Sequence, residues 1–323
     1  MTVMIVDGNN MLHRTMRVPA LEELENRYGK PTGGVFGFLR SLQALLSVNQ
    51  IKRCYVVFDG GISQRRRALL PEYKGPRYRD ESDPFYEEPD EDRLSYFLSF
   101  KRQRQLLKFI LERLAVHFIR IPGYEADDVI GHLSISFRDR HNVLIVSDDS
   151  DFLQLLHGSV LNGLHRTRLY RPLKEYIVGL DNFEQQMGYP SEQFMVRKSL
   201  YGDPGSDKIP GIPGVGKVTI EKVLSDIEDY EYPFDTLFNY CSDSTNKRIR
   251  KIADNIDIVY RNHEIIDLTE EEIGEDACDE ITASILARPE VDLIKTKHLL
   301  SELDLFSIVD DLHHWVIPFQ RLH

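Results

Sequence analysis

Two aspartates and a run of glycines share the stretch Gly202-Asp-Pro-Gly-Ser-Asp-Lys-Ile-Pro-Gly-Ile-Pro-Gly-Val-Gly-Lys-Val-Thr219. Carboxylates such as Asp203 and Asp207 are hard oxygen donors of the kind that hold Mg2+. A Gly-x-Gly turn opening a helix, here Gly214 to Gly216, exposes backbone N–H groups to a phosphate. One short segment therefore combines metal ligands with a phosphate grip. That combination points to metal-dependent chemistry on a nucleic-acid backbone.

More acids recur at one kind of place. Asp7 follows the apolar run Val3–Val6, and Asp59 follows Cys54–Phe58. Glu125, Asp127 and Asp128 come after Val116–Ile121, and Asp148, Asp149 and Asp151 after Val143–Val146. A single Asp after a strand is most often a helix N-cap. Four strand ends repeating the pattern ask for more than capping. Crowded carboxylates raise one another's pKa, and divalent cations relieve that repulsion. Two ions roughly 4 Å apart can clamp the attacking and leaving oxygens of a phosphodiester. Asp149 and Asp151 flank Ser150, where a turn can aim both inward. Glu125 and Asp128 share a face if a helix starts at Glu125, which leaves Asp127 pointing elsewhere unless the turn is distorted. An all-oxygen donor set favours Mg2+, with Mn2+ as its substitute.

The elements that must position these acids alternate. Apolar strands alternate with helical patterns over 33–48, 97–114 and 127–137, which predicts a mostly parallel α/β sheet covered by helices on both faces. Ligands of such sheets bind beyond the carboxyl ends of the strands. From about Leu180 helical patterns follow one another, so the expected division is 1–180 (α/β) and 181–323 (all helical). Residues 72–92 run from basic (Lys74, Arg77, Arg79) to acidic (Glu87 to Asp92) with prolines and aromatics. They lack a core-facing stripe and read as an excursion over the surface.

The net charge of −12, from 40 Lys+Arg against 52 Asp+Glu, by itself argues against a nucleic-acid partner. It is reconciled if some acids are metal ligands and the bases are clustered. Clusters stand at Arg65–Arg67, Lys74–Arg79, Lys101–Arg104 and Lys247–Lys251. No apolar run reaches membrane-span length, and no basic leader precedes the first strand, so neither a membrane anchor nor a secretory signal is expected. Three scattered cysteines fit a reducing cytoplasm.

Together these motifs resemble the 5′-nuclease (flap endonuclease) family, whose members include phage 5′-exonucleases and the 5′-nuclease domain of bacterial DNA polymerase I. The resemblance runs through Met4-Ile-Val-Asp7-Gly-Asn-Asn10, Val56-Val-Phe-Asp59-Gly-Gly61, Leu70-Pro-Glu-Tyr-Lys74-Gly-Pro-Arg77, Gly123-Tyr-Glu125-Ala-Asp127-Asp128, Ser147-Asp-Asp149-Ser-Asp151 and Ile209-Pro-Gly-Ile-Pro-Gly214-Val-Gly216. His298 to Val309 is similar to the closing helix of the polymerase-linked members. The resemblance implies a helical arch at about 72–100 and a helix-three-turn-helix at about 202–225. It implies two Mg2+ ions, one on Asp7, Asp59, Glu125 and Asp127 with Asp128 assisting through water, the other on Asp149, Asp151, Asp203 and Asp207. Lys74 and Arg77 are the implied catalytic cations at the scissile phosphate. Arg65, Arg66, Tyr73, Gly211, Gly214, Gly216, Lys217 and Thr219 are the implied DNA contacts, and the turn carbonyls a candidate K+ site.

The implied activity is a structure-specific 5′-nuclease on DNA flaps, nicked or gapped duplexes and RNA–DNA hybrids. It would act as a monomer, alongside replication proteins, in the cytoplasm of a bacterium or of a phage-infected host. The alternative is a catalytically silent relative that binds DNA junctions. The chain departs from the family pattern twice. Asp203 and Asp207 are four apart where members have three, and Val218 stands where members tend to carry a basic residue, with Lys217 before it.

Overall fold

A computed structural model describes every residue except 49, 76–89, 159–164, 228–232, 270–272 and 323. The chain forms two compact units. The first comprises Met1–Gly61, Pro89–Gly179 and Glu272–His323, the second Ile62–Glu88 and Leu180–Glu271.

The first unit is built on a six-stranded sheet in the order β3-β2-β1-β4-β5-β6. β1 is Thr2–Asp7, β2 Ile51–Val57, β3 His117–Ile119, β4 Asn142–Val146, β5 Thr167–Arg171 and β6 Tyr176–Val178. β1 to β5 run parallel and β6 pairs antiparallel with β5. The four expected strands are all present at their expected places. β1 and β4 are buried along almost their whole length, as β-branched runs covered on both faces should be. β5 and β6 were not expected. In β5 (Thr-Arg-Leu-Tyr-Arg) Thr167, Leu169 and Arg171 are buried, an alternation hidden by two arginines.

The strand order reverses at β1, which lies between β2 and β4. The carboxyl ends of β1 and β4 therefore flank the switch point where such sheets open a crevice. The helix Gly33–Val48 matches its expected span. The long helix begins at Glu91, six residues before its apolar periodicity does. Asp90 caps it, accepting from Arg93 N at 2.7 Å, and Glu91 and Asp92 fill its first turn. Residues 76–89 of the expected arch, Arg77 among them, lie outside the described residues.

The last fifty residues belong to this unit. Leu300, Leu303, Leu305, Ile308, Leu312, Trp315, Val316, Phe319 and Leu322 join Val6, Phe38, Val56, Phe58 and Leu107 in one buried cluster. Arg27 and Asp304 form an exposed ion pair.

The second unit contains mostly helices among the described residues; the expected helical division 181–323 is split, because its end from residue 272 covers the core of the first unit. Phe194–Tyr201 and Lys217–Asp226 are separated by turns and share a core through Val196, Leu200, Ile212, Ile220, Val223 and Leu224. Arg197 binds Glu221 with two hydrogen bonds of 2.7 and 2.9 Å, and Tyr201 donates to the same carboxylate at 2.7 Å. Asn262, fully buried, donates to Ser199 O at 3.0 Å and Pro210 O at 2.7 Å. These bonds hold the turn between the two helices. Among the described residues, no helix is long and apolar enough to cross a membrane.

Candidate metal centre and nucleic-acid interface

Asp7 is the last residue of β1 and the N-cap of the helix Gly8–Met16. Its Oδ1 accepts from Asn10 N at 2.9 Å and its Oδ2 from Ser147 Oγ at 2.8 Å. Its side chain is 6% exposed. Burial pushes its pKa up to about 7. The two hydrogen bonds oppose that shift, and the charges of Asp59 and Asp149 reinforce it. The ends of β1, β2 and β4 thus bring three of the expected acids within electrostatic reach of one another.

Asp59 is placed by a close approach of two loops. Gly60 N and Gly61 N donate to Tyr124 O at 2.9 and 3.1 Å. A Cβ on Gly60 would lie 1.6 Å from Ile121 O, so no other residue fits without moving backbone. This contact lays the loop after β2 along the loop after β3. Asp59 Oδ1 then accepts from Ala126 N at 2.8 Å, capping the helix Ala126–Arg138 from another part of the chain. Asn9 Nδ2 donates to Asp59 Oδ2.

Glu125 and Asp128 form a reciprocal capping box at the start of the same helix, with Glu125 N donating to Asp128 Oδ2 at 3.1 Å. Both are buried, and Asp127 between them is half-buried. After β4, Asp149 N donates to Ser147 Oγ at 3.1 Å, and Asp151 N to Asp149 Oδ1 at 2.9 Å. Asp149 is exposed and Asp151 half-buried. Asp148 instead accepts from Leu173 N at 2.8 Å.

Asn9, Asn10 and Ser147 tie these carboxylates in place, and sequence reasoning gave them no role. Their signal was adjacency, two asparagines directly after Asp7-Gly8 and a serine directly after β4. Among the described residues, no three Asp, Glu, His or Cys side chains stand so as to hold an ion as placed. The chemistry of the donor set nonetheless fits a hard divalent cation. It is all oxygen, and a bound divalent ion would offset both the burial that chiefly lifts Asp7 and the repulsion from Asp59 and Asp149 that adds to it.

In the second unit Asp203 and Asp207 lie on one tight loop. Asp203 and Ile209 close it with two backbone hydrogen bonds of 2.9 and 3.0 Å. Ser206 N donates to Asp203 Oδ1 at 2.9 Å, and Ser206 Oγ reaches Asp207 Oδ1 at 3.2 Å. Lys74, buried and with φ of 51°, donates its N–H to Asp207 O at 3.0 Å. Its Nζ is 4.0 Å from Asp207 Oδ2. The four-residue spacing is thus accommodated by a bridged turn that also anchors Lys74.

The expected nucleic-acid contacts fall into two groups. Gly214, Gly216 and Lys217 are exposed, with Gly216 the N-cap of Lys217–Asp226, while Gly211 and Thr219 are half-buried. Arg66 is only 2% exposed, and its Nε donates to Ile265 O at 2.7 Å. Tyr73 sits in a small core with Leu70, Ile209, Ile265 and Ile266. Arg65 is half-buried, with Nη1 donating to Glu264 O at 3.0 Å. The structure places Arg66 and Tyr73 in the interior of the second unit.

Residues 2–188 match the model of a family described as 5′-3′ exonuclease, N-terminal resolvase-like domain. The chain is 27% identical over 322 residues to a 5′-3′ exonuclease of Aquifex aeolicus, covering 96% of this chain and 95% of that one. It is 30% identical over 310 residues to the thermostable DNA polymerase I of Thermus filiformis, covering 96% of this chain but 33% of the polymerase. Among solved structures, bacteriophage T5 5′-exonuclease with bound zinc aligns with a TM-score of 0.69 at 21% identity, covering 88% and 98% of the two chains. A bacteriophage T5 flap endonuclease in complex with DNA and metal ions aligns with a TM-score of 0.64 at 20% identity, covering 94% and 100%. These structural likenesses show a shared fold.

Proposed function

The chain belongs to the 5′-3′ exonuclease family, and from that premise we propose that it is a structure-specific, divalent-metal-dependent 5′-nuclease. Its substrates would be DNA flaps, nicked or gapped duplexes, and RNA primers on DNA. The observation that carries the reading is the meeting of Asp7, Asp59 and Asp149 at the carboxyl ends of a parallel sheet, where Asp7 is held near a pKa of about 7.

When bound, divalent cations would supply charge stabilisation for the attacking and leaving oxygens of the phosphodiester. In this reading Asp7, Asp59, Glu125 and Asp127 hold one ion, with Asp128 ordering the start of their helix. Asp149, Asp151, Asp203 and Asp207 hold the other. Lys74 and Arg77 neutralise the scissile phosphate, and Lys74's fixed backbone lowers the entropy of doing so. The turn from Gly211 to Gly216, with Lys217 and Thr219, grips the duplex backbone.

Mg2+ as the ion, K+ at the turn carbonyls, a monomeric state, replication-protein partners and a cytoplasmic site belong to the same proposal. So does a division of labour in which the first unit supplies most of the metal ligands and the second the DNA grip. The metal-bound and DNA-bound structures of similar fold support the divalent-metal and DNA parts of the reading.

The test is a 5′-labelled flap beside a nicked duplex, incubated with Mg2+, with Ca2+ or with chelator. Cleavage in Mg2+ alone is expected. Asp149→Asn should abolish it while leaving DNA bound. Cleavage undiminished in chelator, or wild-type turnover by Asp149→Asn, would refute the metal role. Binding without cleavage in every condition would favour the silent relative.

A further inference from the structure

The helix Lys247–Ala253 carries Lys247, Arg248, Arg250 and Lys251 exposed, with Ile249 and Ile252 buried beneath them. The chain holds twelve more acids than bases, and many of its bases are neutralised locally. Arg27, Arg65, Lys74, Lys108, Arg197 and Lys295 all have carboxylate partners. Among the described residues, none of the four bases on this helix is ion-paired. Arg250 donates to Ser244 O at 2.8 Å, which leaves its charge uncompensated. At 100° per residue, Lys247, Arg250 and Lys251 lie opposite the buried Ile249–Ile252 edge.

Lys251 connects this face to the glycine turn. Gly214 has φ of 69°, and a Cβ built on it would lie 2.9 Å from Lys251 Nζ. The ammonium therefore rests against the turn at a residue with no side chain to displace it. Two residues beyond the last glycine of the turn stands Val218, 86% exposed. An apolar side chain there contributes no charge at the place where the turn meets solvent.

We propose that Lys251, reaching over from the neighbouring helix, supplies the cation for the phosphate-facing edge of the Gly214–Gly216 turn, and that Lys247 and Arg250 carry the same track further along a duplex backbone. The inference rests on the proposed action on DNA and adds a contact surface to it. The partner is a sugar-phosphate backbone because the surface sets exposed cations with no ion-pair partner among the described residues beside a glycine turn with open backbone.

Fluorescence anisotropy on a nicked duplex in Ca2+, over a range of KCl concentrations, tests it. Each phosphate contact contributes about 0.9 to the slope of log K against log salt. Lys251→Ala should lower that slope by about 0.9, which is about eightfold in Kd at 0.1 M salt, fading toward 1 M. Val218→Lys introduced into Lys251→Ala should restore both slope and affinity, because the new ammonium projects from the same edge. Lys247→Ala combined with Arg250→Ala should lower the slope further. Lys295→Ala, which removes a locally paired lysine of the first unit, should leave it unchanged. The exposed position of Lys251 leaves the fold intact, which a thermal melt verifies. An unaltered slope in Lys251→Ala, or no recovery with Val218→Lys, overturns the inference while wild-type binding leaves the nuclease reading standing. Failure of the wild type to bind duplex at all removes both.

Discussion

Asp7 shows how one carboxyl can serve a fold poorly and a site well. In the metal-free protein its pKa is about 7, against 3.8 for the ordinary group. The folded state therefore keeps a proton that the unfolded state has released. Below the lower value Asp7 costs nothing. As pH rises from about 4 to about 7 the native state loses on the order of 4 kcal/mol at this residue, and above that the loss is constant. In chelator, Asp7→Asn should therefore be more stable than wild type at pH 8 and nearly equal to it at pH 4, because Asn can keep both hydrogen-bond partners. Urea denaturation at the two pH values checks this, and equal midpoints at pH 8 would contradict it. The acids at strand ends were legible in the sequence. Their holders were not, because Asn9 and Ser147 act through bonds to residues 50 and 140 positions away. Arg66 and Tyr73 were expected to face DNA because the family resemblance placed them in a contact segment. Within the second unit one meets a helix-end carbonyl and the other a pocket of isoleucines and leucine.

At the scale of elements, the loop after β2 and the loop after β3 act as one piece. Asp59 and Glu125 keep their places only while Gly60 lies flat against residues 121–124. Gly60→Ala should destabilise the protein by about 3 kcal/mol through forced backbone separation. It should also reduce metal-dependent cleavage beyond what the loss of folded protein explains. Thermal melts paired with activity per folded molecule measure both, and a variant with unchanged melting would show that the loops yield easily. The Asp-Gly-Gly sequence hinted at a turn, but the partner backbone that makes Gly60 indispensable lies sixty residues on. Short apolar strands announced themselves, whereas β5 did not, since a strand interrupted by arginines lacks the hydrophobic run that marked the others. The early start of the helix at Glu91 was missed for a different reason: its first turn is specified by an acidic cap and not by core-facing residues.

At the scale of the whole molecule, helical periodicity after residue 180 showed that the C-terminal third is helical but not where each piece packs. An amphipathic stripe states that a face is apolar; it does not name the surface that covers it. Residues 272–323 close the core of the first unit. Leu300, Leu303, Leu305, Ile308, Leu312, Trp315, Val316, Phe319 and Leu322 are buried there. Their burial is worth roughly 1.5–3 kcal/mol each, which together matches or exceeds the roughly 5–15 kcal/mol that holds a domain folded. A chain truncated after Asp292 should therefore fail to fold cooperatively. Soluble yield and near-ultraviolet circular dichroism test this, and a sharp thermal transition in the truncated chain would contradict it.

The chain passes between its units after Gly61, Glu88, Gly179 and Glu271, so β1 belongs to a unit that is completed only by residues 272–323, which follow the whole of the second unit in the chain. Domains tend to fold as they are synthesised, from the N-terminus onward. Here the helical middle can mature while the sheet still waits for its final cover. Until residues 300–322 are made, the apolar surface they cover in the first unit stays uncapped, which makes them a timer for assembly as well as a wall of the core.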